Sequence, residues 1–145
     1  MNVYLAGRYS RLDEFQGYKR ELQEMGYKVP ARWLLGEHRM IDGQPGPQNE
    51  GFALDDFADI HASDIVVAFT EEPRTAATRG GRHVEFGIAL ALRRYHARPA
   101  LHVVGPKENV FYYMPGVVHH ETWEAARCRL AVDAAGWLKG EDARG

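Results

Sequence analysis

Two hydrophobic periods alternate along the chain. Residues 2–6 (NVYLA), 65–69 (IVVAF) and 100–104 (ALHVV) are short apolar runs bounded by polar residues, and they predict buried strands. Between them the spacing lengthens to three and four residues. Leu12, Phe15, Tyr18, Leu22 and Met25 predict a helix that Ser10 opens, with Asp13 and Glu14 in its first turn, and that Gly26 ends. Phe52, Phe57 and Ile60 predict a second helix over residues 50–62, and the alanine- and leucine-rich residues 86–92 a third. Trp123, Ala126, Leu130, Ala134 and Trp137 mark a last helix over residues 121–138, opened by Thr122 or Glu121. Residues 28–34 (KVPARWL) predict another strand, which Pro30 pushes toward a sheet edge because proline has no N–H for the ladder. Residues 117–120 add a short strand, whereas residues 36–49, with three glycines and two prolines, predict a long loop. Strands alternating with helices predict an α/β fold, a three-layer Rossmann-like sandwich with a parallel sheet of about five strands. It occupies one domain over residues 1–139, followed by a polar tail at 140–145.

Ligands of such folds bind beyond the carboxyl ends of the strands. The turn at 7–10, the loop at 70–81 and the loop at 105–114 are predicted to meet there, and the most informative stretch, residues 79–87 (RGGRHVEFG), lies among them. A glycine pair before a helix leaves backbone N–H groups free to face an anion, and Arg74, Arg79 and Arg82 add charge around it. Glu85 falls in the first helical turn on this reading, where the helix dipole favours its ionised form. A carboxylate beside an anion pocket has chemical use. It can attack an anomeric carbon while a second acid, from the aspartates Asp55, Asp56 and Asp59 of the second helix, assists the leaving group. The bland alternative is an ordinary first-turn acid and a plain glycine turn. Trp33 and His38 flank the long loop and could stack on a planar base, although a partly buried tryptophan at a strand end is the blander and favoured reading.

Composition narrows the classes. A net charge of -2 and a pI near 6.4 argue against a general nucleic-acid binder. No apolar run reaches the length of a membrane span, and the expected location is the cytoplasm. The single cysteine, Cys128, excludes an internal disulfide and is predicted to be buried and inert in the last helix. No Cys-x-x-Cys, His-Glu-x-x-His or calcium-loop pattern is present, so neither metal nor cofactor is expected. P-loop, dinucleotide and Gly-x-Ser-x-Gly motifs are also missing.

Over residues 2–114 the chain resembles the nucleoside 2-deoxyribosyltransferase superfamily, which includes nucleoside 5′-monophosphate N-glycosidases. The resemblance is carried by Glu85-Phe86-Gly87 at a helix start, Gly81 four residues before the glutamate, Tyr4 ahead of the Gly7 turn, and Asp56 eight residues before Asp64. It implies that Glu85 is the nucleophile on C1′, that Tyr4 hydrogen-bonds it, and that Asp56 assists protonation of the leaving base. It also implies that residues 109–114 cross to a neighbouring subunit in a homodimer or larger assembly, so that Asn109 and Met114 complete its pocket. One position departs from the family: six residues before the nucleophile, where transferases carry aspartate and the monophosphate hydrolases serine, stands Arg79. An arginine suits a phosphate, with Gly7, Arg8, Tyr9, Gly80, Gly81 and Arg82 nearby and Trp33 toward the base. The expected activity is thus cleavage of the base–sugar bond of a nucleoside 5′-monophosphate. The alternatives are base exchange on free deoxynucleosides, a non-catalytic nucleotide-binding module, and an interaction protein using the Phe111–Met114 patch.

Overall fold

The computed structural model describes residues 1–36, 47–72 and 80–144; Arg74, Arg79 and His38 lie outside the described residues. Four parallel strands form one sheet in sequence order, β1 (Val3–Ala6), β2 (Ile65–Phe69), β3 (Ala100–Val104) and β4 (Val117–His120). The register pairs Tyr4 with Val66, Val66 with Leu101, and Leu101 with Val117, so the side chains of these residues share one face of the sheet. β1, β2 and nearly all of β3 are buried, as expected of parallel strands covered on both sides. Helices α1 (Leu12–Glu24) and α4 (Trp123–Arg144) cover one face, where Tyr18 stacks on Phe69 and Trp123. Helices α2 (Pro47–His61) and α3 (Gly81–His96) pack side by side over the other.

The expected strand at 28–34 does not form. Its side chains alternate, with Val29, Ala31 and Trp33 buried and Pro30 and Arg32 exposed, which is the period of a strand. Its backbone does not pair beyond one bridge from Lys28 to Asn2, and Pro30 leads into a 3-10 turn at Arg32–Leu35. Among the described residues the sheet therefore has four strands rather than five. Two boundaries also move: a 3-10 turn at Tyr9–Arg11 precedes α1, so Ser10 does not cap it, and α4 continues through the polar residues 140–144. Thr122 does open α4, accepting the Ala125 N–H at 3.2 Å. Cys128 is exposed, on the outer side of α4 away from the buried Ala126 and Leu130, and not in the core.

Candidate active site

The site is built where β1, α2 and α3 meet. Tyr4 is fully buried on β1, and its hydroxyl donates a short hydrogen bond to Glu85 Oε2 on α3. Asp56, on α2, is close enough for its charge to act on both groups. The three candidates that the sequence separates by up to 81 residues thus come together. Glu85 lies four residues past the first residue of α3, Gly81, and not in its first turn, which holds no acid. The dipole benefit, confined to the helix end, is weak there. Burial dominates instead and pushes the Glu85 carboxyl up to about 8, the Tyr4 hydrogen bond opposing and the Asp56 charge adding to the rise. The expectation of a dipole-ionised glutamate is thus reversed: near neutral pH this carboxyl holds its proton. Burial, then the charges of Glu85 and Asp56, raise the Tyr4 phenol well above its usual range, which keeps its hydroxyl a donor.

The neighbouring aspartates have a different task. Arg32 pairs with Asp59 at 2.8 Å and Asp55 at 2.9 Å, and the Arg32 backbone N–H donates to Asp59 at 2.9 Å. This fork ties α2 to the 3-10 turn at Arg32–Leu35. Nothing in the aspartate spacing showed that Arg32 would select two of the three.

Gly7 is required by packing, because a Cβ there would lie 2.2 Å from the Phe15 ring. Arg8 follows, half-buried at the carboxyl end of β1 and without an ion pair or hydrogen bond from its side chain to the described residues. Tyr9 donates to the Gly36 carbonyl at 2.6 Å. Gly80 has φ +80, a conformation natural to glycine, and as the N-cap of α3 it makes no side-chain capping bond. Among the described residues the glycine pair thus contributes no cap to the first N–H groups of α3.

Two expected binding residues, Arg82 and Trp33, are placed otherwise. Arg82 is buried and committed to Glu108 in a two-pronged ion pair, one arm at 2.9 Å, so its charge is already met. Trp33 is packed in the core and donates its indole N–H to the Leu5 carbonyl at 2.9 Å; it is not presented for stacking. Met114 lines a separate shallow cavity of about 360 Å³ with Leu90, Arg93, Arg94 and Ala97, at the far end of α3 from Glu85. Asn109 is exposed and caps the 3-10 turn Val110–Tyr113, accepting the Phe111 N–H at 3.0 Å. Only Tyr112 of the aromatic patch is buried, stacked on Phe86, while Val110, Phe111 and Tyr113 stay exposed. Glu108, the partner of Arg82, reads in sequence as one more polar residue between Lys107 and Asn109, and only the fold turns it inward.

No protein-family model matches the chain, and no curated protein matches it in sequence. Solved structures do. The 2-deoxyribosyltransferase of the psychrotolerant bacterium Bacillus psychrosaccharolyticus superposes with a TM-score of 0.63 at 14% identity, covering 88% of this chain and 90% of that one. The CMP N-glycosidase of Clostridium botulinum superposes with a TM-score of 0.53 at 16% identity, covering 90% of this chain and 98% of that one. The chain shares its fold with these two enzymes.

Proposed function

We propose that the protein is an N-glycosidase cleaving the base–sugar bond of a nucleoside 5′-monophosphate through a covalent ester on Glu85. The observation that carries this reading is the Tyr4–Glu85 hydrogen bond within the field of Asp56, in a fold shared with enzymes named for 2-deoxyribosyl transfer and CMP N-glycoside cleavage. The raised Glu85 carboxyl holds a proton near neutral pH, within reach of the Asp56 charge. With substrate bound, that proton is relayed by Asp56 to the departing base as a Glu85 oxygen bonds to C1′, breaking the base–sugar bond. Water then attacks C1′, Asp56 takes its proton, and Glu85 leaves as a carboxylate, which restores the starting state. Tyr4 holds one oxygen of Glu85 and leaves the other for attack.

Arg8 and the uncapped start of α3 support the phosphate assignment, since both offer unmet positive charge at the carboxyl edge. The commitment of Arg82 to Glu108 removes one cation from that pocket and favours a second reading, base exchange on free nucleosides. The exposed Val110, Phe111 and Tyr113 suit the surface of a second copy of the chain, through which Asn109 and Met114 would reach a neighbour's pocket and not their own.

The test is liberation of free base from a panel of nucleosides and their 5′-monophosphates, with and without an added acceptor base, for the wild type and Arg8→Met. Release from monophosphates alone, without acceptor, with KM raised about tenfold or more in Arg8→Met, is the expected result. Exchange confined to free nucleosides would establish the transferase reading instead. No release from any member would refute both.

A further inference from the structure

The rim of the site converges on one carboxylate. Glu108, in the loop after β3, takes the buried Arg82 guanidinium with both oxygens and also accepts the Glu71 backbone N–H at 3.2 Å, just past the end of β2. Glu71 in turn receives Arg11 at 3.0 Å, beside the start of α1, and His83 Nε2 approaches Glu108 at 4.0 Å. Segments leaving β1, β2 and β3 and the first turn of α3 are therefore tied together through Glu108. Its neighbours Lys107 and Asn109 are exposed, so it alone of the three turns inward. Arg82 is only 7% exposed, its Nε has no hydrogen-bond partner, and Glu108 is the one carboxylate that hydrogen-bonds it among the described residues, the charge of Glu71 adding at longer range. Arg82 and Glu85 are one helical turn apart on the buried side of α3, so whatever fixes the one fixes the other.

We infer that Glu108 is a positioning residue for base cleavage: its ion pair with Arg82 holds the start of α3 so that Glu85 meets Tyr4. The inference rests on the function proposed above. Without the pair, a buried guanidinium must find water, which the helix start supplies only by moving outward, and Glu85 moves with it. A misplacement of about one ångström at a reacting group can cost about a hundredfold in rate. Glu108 touches no substrate in this account, so its loss acts on turnover and leaves affinity in place.

The experiment measures kcat, KM and the pH profile of base release for the wild type, Glu108→Gln, Glu108→Asp and Arg82→Lys, beside their melting temperatures. Glu108→Gln and Arg82→Lys are expected to lower kcat about tenfold or more with KM within about twofold, and to shift the limb of the pH profile that reports Glu85. Glu108→Asp, which keeps the charge, is expected to fall between. A lower melting temperature with kcat and pH profile unchanged would overturn the inference, and so would a rise in KM alone. If Glu108→Gln does not fold, the same split in Arg82→Lys and Glu108→Asp decides. A wild type that releases no base refutes the underlying function instead, which keeps the two failures apart.

Discussion

Replacing Glu85 by glutamine is expected to make the protein more stable, increasingly so as pH rises. The folded chain raises this carboxyl from 4.5 to about 8, chiefly by burial. In the unfolded chain it ionises near 4.5, so between those values the unfolded state loses a proton that the folded state keeps, and stability is lost as pH rises. The full benefit of the protonated form is present below about pH 4.5 and gone above about pH 8. At about 1.4 kcal/mol per pH unit, this is a cost of about 3 kcal/mol at pH 7 and about 5 kcal/mol at pH 9. These are ceilings, because Glu85 is only half-buried and solvent screens its charge. Glutamine keeps the shape and an acceptor for Tyr4 and never ionises. In chemical denaturation at about pH 5, 7 and 9, the difference between Glu85→Gln and wild type should be small at the first and grow to about 2 kcal/mol or more at the last, while base release is abolished. Taking the difference between the two proteins cancels the titration of every group that does not feel the Glu85 charge, as Tyr4 and Asp56 do. A pH-independent difference, or a variant less stable at alkaline pH, would refute the buried-carboxyl argument. The trade of stability for a poised catalytic group is a general one.

Two further outcomes follow from the packing. Gly7→Ala places a Cβ against the fully buried Phe15 ring, itself wedged against Phe69 and Trp33, and should cost about 1–3 kcal/mol in urea unfolding; an unchanged midpoint would show that β1 shifts freely. His102 lies buried under α4 with its Nδ1 3.0 Å from His120 Nε2, and burial first, then the charge of His120, lower it from 6.5 to about 4. Asp133 opposes the shift, while Arg129 and Arg93 add to it. Because the unfolded histidine protonates first, stability should fall from about pH 6.5 down to about pH 4, by about 3 kcal/mol, and His102→Phe should flatten that limb; an equally steep fall in the variant would exclude His102 as its source.

The parts of the fold legible in sequence were those with unambiguous periodicity. The apolar runs of β1, β2 and β3 and the stripe Phe15, Tyr18, Leu22 became the elements they suggested, although Phe57 on α2 stayed exposed. Residues 28–34 misled because burial alternated without strand pairing: side-chain period reports which atoms are covered, not where the backbone hydrogen bonds go. In the candidate site, the convergence of Tyr4, Asp56 and Glu85 was implied by family resemblance and is what the structure displays. Charge state was not legible. Proximity to a helix start suggested an ionised Glu85, but its extra turn into α3 and its burial reverse the sign. Nor was the fate of Arg82, since a basic residue beside a glycine pair looks like a ligand contact until Glu108 is seen to meet it.

The most direct test of the central claim is mass spectrometry of the protein incubated with a 2′-fluoro arabinonucleoside 5′-monophosphate, whose electron-poor sugar slows breakdown of a glycosyl ester. The account predicts a mass increase equal to the sugar phosphate, on the peptide containing Glu85, with one base released per adduct and no adduct in Glu85→Gln. Base release that persists in Glu85→Gln, or an adduct on another peptide, would contradict it.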